Sequence, residues 1–144
     1  MTDGDRLDAW RDAPAGGVAA GEVPGVVRDC VDPQRLAEFW APALGYTNLG
    51  AAGSYVLLVD EHGGRPKLLW QAVPEAKAVK NRMHFDIEIP DIESEAARLE
   101  SLGARRVDSE PHHEHGSNWI VMTDPEGNEF CVCDADAGGS PPEQ

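Results

Sequence analysis

Apolar and polar residues follow one another along the chain in an order that occurs twice. In the first copy, an apolar stretch over 23–31 predicts a strand. Asp32-Pro33 then predicts a helix start, because Asp caps helices and Pro is tolerated in their first turn. The next apolar residues recur at helical spacing, at Leu36, Phe39, Trp40 and Ala43. Gly45 predicts the helix end, and the segments beyond it predict three strands, over 46–49, 54–60 and 67–73.

The second copy repeats this order of elements. Residues 82–89 alternate between polar and apolar side chains, as in a strand with one buried face. Pro90-Asp91 predicts the next helix start, and Gly103 predicts its end. Apolar residues share one face of this helix, at Ile92, Ala96, Leu99 and Leu102. The remaining segments predict strands over 104–108, 118–123 and 129–134, a histidine-containing loop over 110–117 and a turn over 124–128.

The duplication predicts an α+β fold of two β-α-β-β-β modules. Strand segments such as YVLLV and KLLWQAV are almost continuously apolar, so both of their faces need cover, and two helices cover only one. A curved mixed sheet with the helices outside and a concave cavity inside meets this requirement, and such cavities bind small molecules. The predicted boundaries are an irregular N-terminal arm over 1–22, a folded domain over 23–134 (module one 23–73, linker 74–81, module two 82–134) and a low-complexity, disordered tail over 135–144.

The charge of the chain argues against several classes of partner. It has 12 Lys and Arg residues against 26 Asp and Glu residues, a formal net charge of −14. Such a charge repels nucleic acids and anionic membrane surfaces. No apolar stretch reaches the roughly 18 residues of a membrane span, and the N-terminus lacks the apolar core of a signal peptide. Three cysteines without that signal predict reduced thiols and a cytoplasmic location.

Two polar rows occur on the strands of the second module. They consist of His84, Asp86 and Glu88 on its first strand, and of Glu129, Cys131 and Cys133 on its last. Side chains two residues apart share one face of a strand, so each row has a single orientation. The apolar residues of the first strand should then pack under the helices, namely Met83, Phe85, Ile87 and Ile89. From the residues alone, the polar face looks either at water or into a binding site.

Three segments resemble a known family: VVRDCVDPQRLAEFWAPALGY in module one, with HFDIEIPDIESEAARLESLGA and DPEGNEFCV in module two. On these segments the chain resembles the glyoxalase / bleomycin-resistance / dioxygenase superfamily (vicinal oxygen chelate proteins), and most closely its small single-domain glyoxalase-like branch. The resemblance covers residues 23–134 and implies that the polar face lines the cavity. The superfamily includes isomerases, dioxygenases, epimerases, lyases and non-catalytic drug-sequestering proteins, so the fold alone selects no activity.

The resemblance also implies where metal ligands would lie. Metal-dependent members carry a first-strand histidine seven residues before the helix-capping Asp, and a last-strand carboxylate four residues after the turn glycine. In module two, His84 fits the first position and Cys131 occupies the second. In module one these positions hold Gly25 and Lys67. Because a metal site normally uses three or more protein ligands, we predict no cofactor and no standard metal centre, with a divalent metal as the alternative.

Under the resemblance, the polar rows converge, and His84 with Asp86 or Glu88 is the candidate acid/base group. The candidate ligand-binding residues are Trp70, Trp119, Glu129 and Cys131. For the tryptophans the alternative is packing in the strand core, and for the thiol it is burial as a small hydrophobe. The loop histidines are either solvated residues, a metal-binding group or a gate over the cavity; they are His112, His113 and His115.

These features predict a glyoxalase-like small-molecule-binding protein that acts as a lyase, dehydratase or isomerase through acid/base chemistry. One alternative is a non-catalytic binder of the antibiotic-resistance type, for which the charge of −14 favours a cationic ligand. Another is a divalent-metal-dependent lyase or dioxygenase that uses His84, Glu129 and the loop histidines. By analogy, and because apolar strand surface needs cover, we expect a homodimer.

Overall fold

Residues 20–134 are the part of the chain that the computed structural model describes, and they contain two helices and nine strands. The first module has β1 (Gly25–Cys30), α1 (Pro33–Leu44), β2 (Thr47–Ala52), β3 (Tyr55–Val59) and β4 (Lys67–Ala72). The second has β5 (Asp86–Glu88), α2 (Ile92–Leu102), β6 (Arg105–Arg106), β7 (His112–Glu114), β8 (Ser117–Thr123) and β9 (Glu129–Cys133). Most of the predicted arm and all of the predicted tail lie outside the described residues. Neither helix in this part is long and apolar enough to cross a membrane.

Each module forms its own sheet. The first sheet has the strand order β1-β4-β3-β2, and the second has the order β5-β9-β8-β6, with β7 paired to β8. In both sheets the first strand of the module lies at an edge and runs parallel to the last strand. The other pairings are antiparallel. The predicted α+β fold of two related modules with mixed sheets is therefore confirmed, with β7 as an additional strand.

Both helices begin and end close to the predicted residues. The side chain of Asp32 accepts a hydrogen bond from the backbone of Arg35 at 3.2 Å, and that of Asp91 accepts one from Ser94 at 3.1 Å. These bonds satisfy backbone donors at the helix start that have no partner within the helix. Gly45 follows α1 with a φ of 68°, a left-handed conformation that glycine adopts without the steric penalty of a Cβ atom.

A single core lies between the helices and both sheets. At its centre, the ring of Trp40 from α1 stacks on Trp70 from β4, with centroids 5.9 Å apart, and meets Phe130 from β9 edge-on at 5.0 Å. Trp40 therefore joins the two modules through aromatic packing. Most helix residues predicted to face the core are buried, and Leu102 is partly buried against it. The buried ones are Leu36, Phe39, Trp40, Ala43, Ile92, Ala96 and Leu99.

The turn between β8 and β9 attaches the second module to the first helix. The carboxylate of Glu126 accepts hydrogen bonds from the backbone N–H groups of Val31 and Asp32, each at 2.7 Å. These donors lie at the start of α1, where a negative charge also interacts favourably with the helix dipole. The turn thus positions β1 and α1 of module one relative to the strands of module two.

The structure differs from the prediction in two segments. The strand predicted over 82–89 is reduced to β5, because the side chain of Asn81 donates to the carbonyl of Met83 at 3.1 Å and holds the backbone in a local turn. Met83 is therefore 73% exposed instead of packed under a helix, whereas the other three apolar residues of the segment pack against the core. The predicted loop over 110–117 contains β7, because its backbone pairs with β8.

Candidate functional site

Side chains from β5, β9 and the residues just before β5 converge on the face of the second sheet opposite the helix core. The two strands run parallel, with Asp86 opposite Cys131 in the register, and His84 precedes Asp86 by two positions. The nitrogen, oxygen and sulfur atoms that these three side chains offer lie within 4.8 Å of one another. We call these residues the His84–Asp86–Cys131 cluster.

His84 and Asp86 form the solvent-accessible part of this cluster. The imidazole Nε2 lies 3.3 Å from the carboxylate Oδ1, and the two side chains are 25% and 36% exposed. A carboxylate in this position orients the imidazole ring, and the two groups form an ion pair when the ring is protonated. The pair therefore has the composition and the access that proton transfer to a bound molecule requires.

Cys131 forms the buried part of the cluster. Its exposed fraction is 1%, and it packs with Trp119 and Cys133 in a small apolar group. Burial, together with the carboxylates of Asp86 and Glu88, raises the pKa of the neighbouring Cys133 thiol to about 12. Cys133 is therefore a protonated, structural thiol at neutral pH.

A cavity of about 440 Å³ opens beside the His84–Asp86 pair, between the first sheet and β5. Val26 and Leu68 contribute apolar surface from module one, and Phe85 contributes it from module two. The volume lies within the roughly 300–1,000 Å³ that is typical of small-molecule sites. The predicted catalytic residues all line this cavity, namely His84, Asp86 and Glu88.

Glu129 lies outside the His84–Asp86–Cys131 cluster. Its carboxylate is 3.2 Å from the ammonium group of Lys77 and 3.8 Å from that of Lys80. Burial by itself would raise the pKa of Glu129, but the backbone hydrogen bond and the contact with Lys77 outweigh it, so the pKa lies below its ordinary value. Glu129 therefore holds the linker against β9 through its ion pairs with Lys77 and Lys80.

The two strand tryptophans have different environments. Trp70 is 1% exposed and belongs to the core beside Trp40, so its predicted place on the cavity wall is not the one observed. Its position follows from the register, because it alternates with residues of β4 that face away from α1. Trp119, on β8, packs with Cys133 on the face of the second sheet opposite the helix core. The ring of His112 stacks on the ring of Trp119, with centroids 5.4 Å apart.

The histidines predicted in the loop over 110–117 have separate partners. His112 contacts Asp108 at 2.8 Å, and His113 contacts Asn118 at 2.6 Å. His115 contacts Glu114 at 3.4 Å. Within residues 20–134, the His84–Asp86–Cys131 cluster is the one group of three potential metal-binding side chains, and it includes none of these histidines.

Module one supplies no metal-binding side chain at the two positions where the resemblance implies ligands. Gly25 lies opposite Lys67 in the β1–β4 register. A Cβ atom added to Gly25 would lie 3.3 Å from the carbonyl oxygen of Lys67, which is a tight contact. The close approach of these strands therefore favours glycine, which has no side chain that could coordinate a metal.

The sequence pattern did not predict that Arg28 and three cations before β5 would lie around one cavity. Arg28 lines a second cavity of about 640 Å³ together with Lys77, Lys80 and Arg82. The sequence contained a signal, because three of these four cations occur within six residues of a strongly acidic chain. Their proximity to Arg28 depends on the path of the linker across β1.

The comparison with protein-family models identifies the class of the protein. The model of the glyoxalase-like domain matches residues 25–133, which is most of the chain. The protein therefore belongs to the glyoxalase-like domain family, and the resemblance noted from the sequence is confirmed. The comparison with curated proteins gave no match.

Solved structures with the same fold come from several bacteria. A glyoxalase/bleomycin resistance protein/dioxygenase from Nocardioides has a TM-score of 0.66 and 16% identity, over 96% of this chain and 99% of that one. An enzyme of the same family from Burkholderia phytofirmans PsJN has a TM-score of 0.66 and 14% identity, over 79% and 98%. A lactoylglutathione lyase from Agrobacterium tumefaciens has a TM-score of 0.56 and 20% identity, over 80% and 94%. At these identities the similarity shows the fold.

Proposed function

We propose that the protein binds a small molecule in the cavity of about 440 Å³ and acts on it by acid/base chemistry, as a lyase, dehydratase or isomerase. His84 transfers the proton, and Asp86 orients the imidazole. The observation that carries the proposal is the 3.3 Å contact between these two side chains at the edge of the cavity. An accessible imidazole beside a carboxylate is a common arrangement for general acid/base catalysis.

The fold is compatible with this chemistry. One structural neighbour is named a lactoylglutathione lyase and another is named oxidase ChaP-H2. These names describe proteins of at most 20% identity, so they support the fold and select neither a reaction nor a substrate for this chain. The substrate needs an apolar body that fits between Val26, Leu68 and Phe85, and an acidic proton that reaches His84.

A screen of small molecules tests the proposal. Thermal shift measurements identify compounds that raise the melting temperature, because a ligand that binds the native state stabilises it. Mass spectrometry then follows each bound compound for conversion. We expect His84→Ala to lower turnover by a factor of about 10² or more while the compound still binds. His62→Ala is the matched control, because His62 is an exposed histidine outside the cavity.

The same experiment separates catalysis from sequestration. If every bound compound is recovered unchanged, the protein is a non-catalytic binder of the antibiotic-resistance type. If a compound is converted equally fast by the His84→Ala variant and by the unmodified protein, the assignment of His84 is wrong.

A second candidate function is metal-dependent catalysis, and the His84–Asp86–Cys131 cluster favours it. Imidazole, carboxylate and thiolate are ligands that Zn²⁺ accepts, and catalytic zinc sites use three protein ligands with an open position. The three side chains therefore fit such an ion, although module one contributes no ligand. When bound, the metal would supply Lewis acidity for a substrate oxygen. Asp86 and His84 would then hold the ion instead of transferring a proton.

Titration with Co²⁺ distinguishes the two candidates. A cobalt–thiolate bond produces an ultraviolet charge-transfer band, which we expect Cys131→Ser to abolish and Cys30→Ser to leave unchanged. Binding would also release a proton, because the thiol must be deprotonated to coordinate. If protein without a His-tag gives no such band and retains no stoichiometric metal, the metal-dependent candidate is rejected.

The homodimer predicted from the sequence is part of the proposal. Val27, on the face of β1 away from the core, is 55% exposed, and Leu57 and Leu69 on neighbouring strands are half-buried. An apolar strip of this kind favours cover by a second copy. Light scattering coupled to size-exclusion chromatography should give twice the chain mass of 15.5 kDa; the monomer mass would contradict the prediction.

A further inference from the structure

We infer that the cavity of about 640 Å³ is a second binding site, and that it takes an organic anion with an apolar body. Its lining comes from residues 26–29 of β1, from residues 76–85 between β4 and β5, and from Asn128. We call it the linker cavity, because much of this lining belongs to the segment that links the two modules. Val26, His84 and Phe85 line both this cavity and the cavity of the proposed function, so the two cavities are adjacent. The inference goes beyond that function and does not require catalysis.

The charge of the linker cavity is opposite to that of the whole protein. Among residues 20–134, four cationic side chains line it, and Asp29 is the one carboxylate in the lining. The cations are Arg28, Lys77, Lys80 and Arg82. The chain as a whole has a net charge of −14, with only 12 Lys and Arg residues. A third of these cations therefore lie around one cavity. Such a concentration attracts anions that the rest of the surface repels.

Part of this positive charge lacks a partner. Lys77 and Lys80 share the single carboxylate of Glu129. Arg82 is exposed and makes no hydrogen bond or ion pair with any residue between 20 and 134. One carboxylate therefore faces two ammonium groups, and the guanidinium of Arg82 is available to a ligand.

Arg28 is the most buried of the four cations. Its side chain is 14% exposed, and its guanidinium lies 5.0 Å from the ring centroid of Phe85 and 5.9 Å from that of Trp70. Among the described residues its Nη1 has no hydrogen-bond partner, although the atom is buried. A buried guanidinium donor without an acceptor is unfavourable, because the hydrogen bond to water has been lost and not replaced.

Asp124 does not accept a hydrogen bond from the buried Nη1 of Arg28. Its Oδ2 lies 3.9 Å from Arg28 Nη1, which is too far for a hydrogen bond. Both of its oxygens already accept other hydrogen bonds, from Trp40, from the backbone of Glu126, and from the backbone and side chain of Asn128. Asp124 therefore balances the charge of Arg28 without satisfying its donors. A carboxylate or phosphate oxygen in the linker cavity would supply the acceptor.

The linker cavity also has apolar side chains in its lining, and two of them are largely exposed. Val79 is 75% exposed and Met83 is 73% exposed. Covering these side chains with a ligand removes apolar surface from water, which favours binding. The cavity thus combines apolar walls with cations, and this combination selects an organic carboxylate or phosphate ester over a free inorganic anion.

Calorimetric titration with three small probes tests the inference. Phenylacetate and phenyl phosphate carry the anion on an apolar ring, and phenylacetamide is the uncharged analogue. We expect the anions to bind at least tenfold more tightly than the amide, and the comparison between them identifies the preferred anion. Amide signals of residues 76–83 should shift in NMR spectra on binding. High salt should weaken the binding of the two anions but not that of phenylacetamide, since salt screens exposed charges.

Variants at the rim assign the interaction to named residues. Arg82→Gln should weaken the binding of the preferred anion about tenfold. Glu129→Gln should strengthen this binding, because it releases Lys77 and Lys80 from their ion pairs. Arg105→Gln is the control, because Arg105 is an exposed arginine on β6 outside this cavity. Equal affinity for phenylacetate and phenylacetamide, or equal effects of Arg82→Gln and Arg105→Gln, would overturn the inference.

Discussion

The indole N–H of Trp40 donates a hydrogen bond to the carboxylate of Asp124, 3.1 Å away and 84 positions further along the chain. Trp40 belongs to the helix of module one, and Asp124 begins the turn before the last strand of module two. The bond therefore joins the modules within the buried core. Glu126 of the same turn accepts hydrogen bonds at the start of α1. The β8–β9 turn therefore connects the two modules through both residues.

Removal of the Asp124 carboxylate should destabilise the protein strongly. Asp124 is 3% exposed, and Asp124→Ala would leave the buried indole of Trp40 and the amide of Asn128 without their acceptor. We expect the free energy of unfolding to fall by about 3 kcal/mol, as measured by urea denaturation. Asp29→Ala is the control, because Asp29 is exposed, and its effect should stay within about 0.5 kcal/mol. Similar losses in the two variants would contradict this role for the turn.

Glu126 should stabilise the first turn of α1. Glu126→Ala removes the acceptor of the backbone N–H groups of Val31 and Asp32, which we expect to cost about 1 kcal/mol. Hydrogen exchange should become faster at these two amides while the amides of α2 keep their protection. Glu61→Ala is a suitable control, because Glu61 is exposed and lies in a turn of module one. Unchanged exchange at Val31 and Asp32 would show that the contact contributes nothing in solution.

Arg98 should connect the two helices through its planar guanidinium. It donates to the carbonyls of Pro42 and Ala43 at the end of α1, at 3.1 Å and 2.8 Å, and it forms two hydrogen bonds with Glu95. Lysine keeps the charge but not the several fixed donors. Arg98→Lys should therefore lower the free energy of unfolding by about 1 kcal/mol. In thermal unfolding, the control Arg35→Lys should leave the melting temperature unchanged.

The buried thiols should give the protein an alkaline stability limit. Burial and nearby carboxylates raise the pKa of Cys30 and that of Cys133 to about 12. In the unfolded chain these thiols lose their protons near the ordinary value of roughly 8.5. Between these values the native state holds more protons than the unfolded state, so stability falls as the pH rises. Unfolding measured from pH 8 to pH 11 should show this slope.

Variants at these cysteines test the assignment of the slope. Cys133→Ala removes one of the buried thiols that ionise on unfolding, so the stability of the variant should depend less steeply on pH over the same range. Because the pKa of both thiols is raised to about 12, they stay protonated in the native protein at pH 8, and a thiol reagent should label them very slowly. Urea should restore rapid labelling. Rapid labelling of Cys133 in the folded protein would contradict the raised pKa.

Much of the fold followed from short-range features of the sequence. The Asp-Pro and Pro-Asp helix starts, the glycines after each helix and the alternation of the strands are local, and their duplication indicated two modules. The sequence also predicted that His84 and Asp86 lie on the same face, because residues two apart on an extended segment share a face. The strand over 82–89 was overestimated because the side chain of Asn81 competes with the strand for backbone hydrogen bonds.

The rest of the site depended on contacts between distant segments. Cys131 joins His84 and Asp86 only because β5 and β9 pair in one particular register. Trp70 and Trp119 both lie in apolar strands, and only the packing of the sheets against the helices placed one in the core and the other opposite it. The sequence by itself determined the modules, the caps and the alternation of faces. Only the tertiary structure decided which face is covered and that Arg28 lines one cavity with the cations before β5. Burial and shared cavities arise between residues that can be far apart in the chain.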